Sequence, residues 1–208
     1  MAIEESFISD SIIKLRISTY LQSVLSRAGF SRVEIQKTPV MTRITVHVTN
    51  PGRVIGRGGD TINKLTEDIR NRFRVENPQI NVVEVENQNL EPRLVAKNIT
   101  NMLERGLNPR RILYSSLKDI MSAGALGAEI IASGKLAAKG ARARSMKVRL
   151  GYIPKAGNVT KLVDEASVAA YPKYGAIGVT VRIVKPGTKF PDRETKKVEI
   201  PKSVAAAT

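Results

Sequence analysis

The sequence predicts a mixed α+β fold made of two domains. Segments in which apolar residues recur every three or four positions alternate along the chain with short segments of period two. Of the 208 residues 42% are hydrophobic, which is enough to build one or two buried cores. A polar stretch before Pro92 marks the joint, so we expect domains at 1–88 and 89–185. From residue 186 to 208 the chain is rich in Pro, Lys and Ala without periodicity, and predicts a flexible basic tail.

The first domain is predicted to run helix, strand, strand, short helix, Gly-rich loop, helix, strand. Ser9 or Ser11 can cap the first helix, and Gly29 suits the left-handed position after its end. The next two segments alternate between apolar and polar residues, which predicts two adjacent antiparallel strands. The predicted elements are helix 9–28, strands 31–37 and 41–49, helix 60–73 and strand 80–85.

The second domain is predicted to pack two helices on a four-stranded, mainly antiparallel sheet. Its helices open at Pro92 and Pro109, where proline suits the first helical turn. The predicted strands cover 127–133, 145–152, 161–170 and 176–184. In the second of these strands we expect Met146, Val148, Leu150 and Tyr152 to point inward, and Lys147 and Arg149 to point outward.

The positive charge is concentrated in the second half of the chain. Residues 1–88 carry a net charge of +2, whereas residues 89–208 carry +13. Eight cations and no acidic residue lie between Glu129 and Asp164. Such a run of like charges favours a polyanionic partner, and nucleic acid is the commonest one. The candidate phosphate contacts in this run are Lys135, Lys139, Arg142, Arg144, Lys147 and Arg149.

Several function classes are excluded by composition. The chain has no cysteine, so disulfides, thiolate metal sites and cysteine nucleophiles are ruled out. A catalytic triad would have to use His47, the one histidine, which alternates with valines on a predicted strand and is expected at the surface. The carboxylates show no metal-ligand spacing, and no run of apolar residues is long enough to span a membrane. We therefore expect no catalytic residue, cofactor, metal or membrane partner, in a soluble intracellular protein.

A GXXG loop carries the functional signal of the first domain. Gly56 and Gly59 lie three residues apart between a short Pro-initiated segment and a helix. Without a Cβ, both glycines allow a sugar-phosphate backbone to approach the main chain. The amides that open the following helix attract phosphate, and Arg57 adds a cation. In this order of elements the loop is typical of a prokaryotic-type (type II) KH domain, which clamps single-stranded nucleic acid.

The loop defines the first set of candidate RNA-binding residues: Arg53, Gly56, Arg57, Gly58 and Gly59. Replacing Gly56 and Gly59 together by Asp is expected to weaken binding and to leave thermal stability nearly unchanged.

Most of the chain, from about residue 9 to residue 185, resembles the universal KH-domain family of small-subunit ribosomal proteins, the S-three family, in its archaeal and eukaryotic form. The segments that carry the resemblance are GRVIGRGG (52–59), NPRR (108–111), GALG (124–127), SGKL (133–136) and YGAIGV (174–179).

The resemblance implies a structural component of the small ribosomal subunit, working in the cytoplasm within the ribosome. The family sits in the subunit head, binds ribosomal RNA, contacts neighbouring head proteins and lines the mRNA entry channel. In bacterial relatives basic residues of one helix help to unwind mRNA, and Arg110 and Arg111 match two of these positions. Tyr114 stands at the third, while Lys118 lies one turn further on the same face.

Two other functions remain open at this point. An abasic-site DNA lyase would need a lysine amine with a lowered pKa to form a Schiff base. A free KH-type regulator of mRNA would share the loop but would not sediment with ribosomes.

Overall fold

The structure, a computed structural model, describes residues 3–38, 40–136, 142–173 and 175–191. These residues form two separate hydrophobic cores that share no residue. The buried side chains of the first core lie between Ile17 and Ile80, and those of the second between Leu90 and Ile183. The predicted mixed α+β fold is confirmed, and the predicted boundary at 88/89, which falls between the cores, stays a prediction.

The N-terminal domain packs two long helices against one face of a three-stranded sheet. The sheet has the order β1-β2-β3, in which β1 and β2 are antiparallel, as predicted, and β2 and β3 are parallel. On β2 the side chains of Ile44, Val46 and Val48 are fully buried, which gives the sheet its apolar face. The elements are α1 (Ile3–Val24), β1 (Phe30–Lys37), β2 (Thr42–Val48), α2 (Pro51–Ile55), α3 (Asp60–Phe73) and β3 (Pro78–Glu84).

Helix α1 differs from its prediction at both ends. It begins at Ile3, so the predicted caps Ser9 and Ser11 lie inside it, and Ser11 Oγ donates to the Phe7 carbonyl at 2.8 Å. After Val24 the chain tightens into a 3₁₀ turn that ends at Gly29, whose φ of 75° is the left-handed conformation predicted there. The long start of α1 leaves apolar side chains on its outward face, because Phe7 and Leu15 are 71% and 67% exposed.

The C-terminal domain places two helices on one face of a four-stranded antiparallel sheet, as predicted. The sheet has the order β5-β4-β7-β6. On β7 the predicted alternation is confirmed, because Ile177, Val179, Val181 and Ile183 are all fully buried. The elements are α4 (Pro92–Glu104), α5 (Pro109–Ser122), β4 (Gly127–Gly134), β5 (Arg144–Gly151), β6 (Asp164–Ala170) and β7 (Ile177–Val184).

One prediction for this domain differs from the structure. Leu150 was expected to point into the core, yet it is 53% exposed. It lies near the end of β5, an edge strand that has a neighbouring strand on one side only. The flexible tail from residue 186 stays a prediction; at its start Phe190 is buried, and its ring meets Tyr152 edge-on at 5.2 Å. Residues 192–208 lie outside the described part of the chain.

Polar contacts join the two domains around Glu91, at the start of α4. Ser31 Oγ, on β1, donates to one carboxylate oxygen of Glu91 at 2.7 Å. Lys185 Nζ, just after β7, donates to the other at 3.1 Å. The Arg93 guanidinium lies 5.2 Å from the ring centre of Phe30, which adds a cation–π contact. These contacts hold the start of β1 beside the start of α4.

Candidate nucleic-acid interface

The GXXG loop projects from the N-terminal domain between α2 and α3. Val54 of α2 and Leu65 of α3 are buried and fix the two helices on the core. Between them Arg57 and Gly58 are exposed, and Arg57 makes no ion pair with any described residue. No described side chain caps the amides that open α3. The loop thus offers an unpaired cation and a helix start without a side-chain cap to an anionic ligand, although the Asp60 amide already donates to the Arg57 carbonyl.

The glycines of the loop differ in the room around them. A Cβ on Gly56 would lie 2.2 Å from Thr61 Oγ1 and 2.8 Å from Thr61 Cβ, so Gly56 is needed for the loop to close on α3. A Cβ on Gly58 would meet no atom within 4 Å. The expectation that replacing Gly56 and Gly59 by Asp leaves stability unchanged is therefore wrong for Gly56. The clash of a Cβ at Gly56 is with the Thr61 side chain, and the spacing of the glycines in the sequence does not predict this contact.

Arg53 lies apart from the rest of the predicted loop set. It is exposed on α2, and its guanidinium donates to the Arg27 carbonyl at 2.8 Å. This contact holds the Arg53 side chain against the turn that follows α1 and directs it into a cleft between the two domains.

Helix α5 presents a basic outer face to solvent. The Asn108 side chain caps the helix by accepting from the Arg110 amide at 3.1 Å. Ile112, Leu113 and Leu117 bury the inner face. The residues that share the outer face are Arg110, Arg111, Tyr114 and Lys118, all exposed. The Arg110 guanidinium lies 5.9 Å from the centre of the Tyr114 ring, so the tyrosine supports the cation.

The outer face of α5 continues onto strand β5. Tyr114 and Lys118 line a shallow cleft of about 870 Å³ together with Lys147, Arg149 and Leu150. The structure therefore brings together residues that the sequence placed in two candidate sets, the α5 set and the cation run. Leu150, exposed against prediction, supplies an apolar wall to this cleft.

Glu129 organises part of the cation run and was missed by the sequence analysis. It lies on β4, on the face of the sheet away from the helices, and is fully buried. Lys147 Nζ and Lys155 Nζ approach Glu129 Oε1 to 2.7 and 3.2 Å, and Arg182 Nη1 approaches Oε2 to 3.3 Å. Two of the eight cations taken as uncompensated are thus paired with this carboxylate.

The pKa of Glu129 reflects these contacts. Burial by itself would raise the pKa, but the hydrogen bonds from the three surrounding cations outweigh burial and hold the pKa below its ordinary value. Glu129 is therefore ionised at neutral pH. A glutamate inside an otherwise apolar strand was the available sequence signal.

Comparison with known proteins was decisive for the family. A family model described as "KH domain" matches residues 16–90, and one described as "Ribosomal protein S3, C-terminal domain" matches residues 99–183. A relative from Methanospirillum hungatei, named small ribosomal subunit protein uS3, is 42% identical over 92% of this chain and 81% of its own length. This chain belongs to the uS3 family.

Two further uS3 proteins show the same extent of similarity. The one from Methanocaldococcus jannaschii is 42% identical over 91% of each chain. The one from Methanosphaera stadtmanae is 40% identical over 98% of this chain and 82% of its own length. The uS3 resemblance inferred from the sequence motifs, including its archaeal type, is confirmed.

The remaining uS3-type candidates are distributed around one end of the C-terminal sheet. Lys135 follows β4, Arg142 and Arg144 lead into β5, and all three are exposed. Lys139, a predicted phosphate contact, and Tyr174, in one of the family motifs, lie outside the described residues. His47 is half-buried on β2, with its Nε2 3.6 Å from Glu34 Oε1.

The described residues contain neither a metal-binding cluster nor a helix that could span a membrane. In the described ranges no three acidic or histidine side chains cluster closely enough to hold a metal ion. None of the helices placed in these ranges has the length and apolar character needed to cross a bilayer.

Proposed function

We propose that this protein is a structural constituent of the small ribosomal subunit, acting in the cytoplasm, that binds ribosomal RNA in the subunit head and contributes to the mRNA entry channel. The observation that carries the proposal is the continuous basic surface formed by α5 and β5. Its exposed cations Arg110, Arg111, Lys118 and Arg149 form no ion pair with any described residue. A surface of unpaired cations favours nucleic acid as its ligand, because Lys and Arg neutralise phosphates and release their counterions.

The proposed division of labour follows from where the cations lie. Arg110, Arg111 and Lys118 project from one helix face and would contact the phosphates of entering mRNA. Tyr114 replaces a charge at the third basic position of bacterial relatives, and its exposed ring can stack on a base. The cations of the second half would neutralise ribosomal RNA; they are Lys135, Arg142 and Arg144 near one end of the C-terminal sheet, Lys147 and Arg149 further along β5, and Lys139.

The KH loop would hold a single-stranded or irregular segment of ribosomal RNA. A Cβ on Gly58 would meet no atom, Arg57 is exposed beside it, and no described side chain caps the start of α3. Neighbouring head proteins are the proposed partners of the outward apolar side chains on α1, which include Phe7, Ile8 and Leu15. No cofactor enters the proposal.

Gly58 gives a matched test of the KH loop. Asn and Asp both tolerate the left-handed conformation at this position, and neither meets another atom there. Gly58→Asp adds a negative charge at the phosphate site, whereas Gly58→Asn adds nearly the same bulk without charge. We expect the Asp variant to bind small-subunit ribosomal RNA more weakly than the Asn variant in filter binding. Equal affinities would contradict a phosphate contact at the loop.

Sedimentation tests the cellular role directly. In a sucrose gradient of native extract, a ribosomal constituent travels with the small subunit in near-equal amount to its RNA. A protein that stays at the top of the gradient would instead be a free KH-type regulator of mRNA.

A lysine with a lowered pKa, Lys155, favours a test of the alternative function, the abasic-site DNA lyase. The pKa of Lys155 is lowered, mainly by the Lys147 amine that shares the Glu129 carboxylate with it. A lowered pKa favours the neutral amine that forms a Schiff base. Borohydride trapping on abasic DNA would give a covalent adduct with the natural protein and none with Lys155→Arg. Diffuse trapping that is equal in both would remove the lyase.

A further inference from the structure

A cleft between the two domains has the lining of an anion site. It lies where the end of α1 and the start of α2 face the exposed side of α4, and its volume is about 500 Å³. Its polar lining includes three cations, several amide side chains and the hydroxyls of Ser26 and Thr49, and none of the described residues that line it is acidic. The lining residues used below are Arg27, Arg53, Lys97, Asn50, Asn98 and Asn101.

Two of the three cations of this cleft, Arg53 and Lys97, are held in place by backbone carbonyls, and none of the three is paired with a carboxylate of a described residue. Arg53 donates to the Arg27 carbonyl at 2.8 Å, and Lys97 Nζ donates to the Ser26 carbonyl. A backbone carbonyl fixes the position of each of these two groups without bringing a negative charge to it. Carboxylates neutralise Lys147, Lys155 and Lys185 elsewhere on the chain, so this lack of compensation is a local property of the cleft.

The positive charge of Lys97 is disfavoured by its surroundings in the cleft. It is half-buried, and burial lowers its pKa, with a further contribution from the positive charge of Arg93 one turn earlier on α4. Like charges four residues apart on a helix are destabilising. A phosphate in the cleft would relieve this repulsion, since it would bring the negative charge that the protein does not supply.

The cleft and the KH loop adjoin the same short helix, α2. Helix α2, which carries Arg53, has five residues and ends directly at Gly56. A helix of five residues is about 7.5 Å long, so the cleft and the GXXG loop are separated by a single short element. One RNA strand can therefore run from the loop past α2 toward α4. The amides of Asn98 and Asn101, exposed on α4, offer both donors and acceptors to that strand.

We infer that this interdomain cleft is a second RNA-binding site, which holds the phosphodiester backbone of the ribosomal RNA segment clamped by the KH loop. Arg27 and Arg53 contact phosphate, Lys97 supplies a fixed charge at the base of the cleft, and the α4 amides contact sugar or base edges. The inference rests on the proposed binding of ribosomal RNA and extends it to residues outside the loop.

Salt dependence of binding provides the first test. The full-length protein is titrated with transcribed small-subunit ribosomal RNA of Methanospirillum hungatei between about 50 and 200 mM KCl. Over this range the affinity of a protein that contacts several phosphates falls steeply. Loss of one phosphate contact reduces the slope of log affinity against log salt by about 0.7–0.9. We expect this reduction for Arg27→Gln, and weaker binding for Asn98→Asp and Asn101→Asp, which place a negative charge in the cleft.

Asn71→Asp is the matched control, because it makes the same change at an exposed position on α3 outside the cleft. It should leave the affinity and the slope as they are in the natural protein. All four altered residues are exposed, and thermal denaturation checks that each variant is folded. Weakening by Asn71→Asp equal to that by Asn101→Asp would overturn the inference, since the effect would then come from net charge alone.

The absence of cysteine from the chain allows a second, positional test. An iron–EDTA group attached at Asn101→Cys is expected to cleave one segment of the bound RNA backbone, and the same group at Gln36→Cys on β1 is not. If the natural protein binds the RNA but Asn101→Cys cleaves no more than Gln36→Cys, the cleft fails and the KH-loop proposal stands. If the natural protein does not bind this RNA, both fail together.

Discussion

Gly56 and Gly58 differ in whether a side chain would fit, although they are two residues apart in one loop: a Cβ on Gly56 would clash with Thr61, and a Cβ on Gly58 would meet no atom. Gly56 has φ 76° and ψ −176°, a conformation that is essentially restricted to glycine and costs other residues about 1–3 kcal/mol. Its Cβ would also lie within 2.2 Å of Thr61 Oγ1. Overpacking of this kind adds about 1–3 kcal/mol. Gly56→Ala should therefore lower the free energy of unfolding by about 4 kcal/mol.

Gly58→Ala is the matched control. Gly58 has φ 63° and ψ 13°, and a Cβ there would have open space around it. Only the left-handed conformation is penalised, at about 1 kcal/mol. For a domain of the size of residues 1–88 each kcal/mol shifts the melting temperature by about 4–8 °C. Gly56→Ala should then lower the Tm of this domain by about 16–32 °C and Gly58→Ala by about 4–8 °C.

The assay is thermal denaturation followed by circular dichroism and by calorimetry, with both variants prepared in parallel. A Gly56→Ala protein that melts within a degree or two of Gly58→Ala would refute the reasoning, since it would show that Thr61 moves aside at no cost. Calorimetry adds a check on location. The loss should affect the transition of the N-terminal domain, because Gly56 and Thr61 both pack on that domain's helices.

Three further predictions concern the C-terminal domain. Glu129→Gln should lower the free energy of unfolding at pH 7 by about 1–3 kcal/mol, because it removes hydrogen bonds to charged groups. Since the folded pKa of Glu129 is lowered, its contribution is present above the ordinary carboxyl pKa and is lost as the pH falls through the lower folded value. Urea unfolding should therefore separate the variant from the natural protein at pH 7 and bring them together at strongly acidic pH; a constant gap would contradict the pKa direction. Ile130→Ala should cost about 2–5 kcal/mol in the same assay, since Ile130 is fully buried on β4 and its truncation leaves a cavity. The control Leu150→Ala should be nearly neutral because Leu150 is largely exposed, and a comparable loss would mean that Leu150 is covered. Arg111→Gln and Arg149→Gln should each reduce the salt slope of ribosomal RNA binding by about 0.7–0.9, measured by filter binding, while Lys37→Gln, which removes a cation already paired with Asp10, should not.

Local patterns predicted the framework of both domains. The alternation on β7 requires only neighbouring residues to be read, and all four of its inward side chains are buried. Proline at the first turn placed the starts of α4 and α5 correctly. The GXXG loop was predictable in the same way, because a few consecutive residues determine its backbone.

Features that depend on distant residues were not predictable from these patterns. Glu129 is buried by Lys147, Lys155 and Arg182, which are far from it in sequence and are brought together only by the pairing of β4 with β5 and β7. The alternation on β5 predicts that Leu150 faces the core. Because β5 is an edge strand, its inward side chains are only partly covered, and Leu150 stays largely exposed. The steric need for Gly56 depends on the orientation of Thr61, which the closed loop sets.

The separation of the two cores has a consequence for how the protein is made. The last side chain packed on the first core is Val82, and the second core begins with Leu90. Domains fold as units, with the N-terminal one first, at a synthesis rate of about 5–20 residues per second. Residues 89–185 therefore take about 5–20 s to follow the first domain out of the translating ribosome. During that interval the nearly neutral domain can fold and present its glycine loop before most of the positive charge emerges.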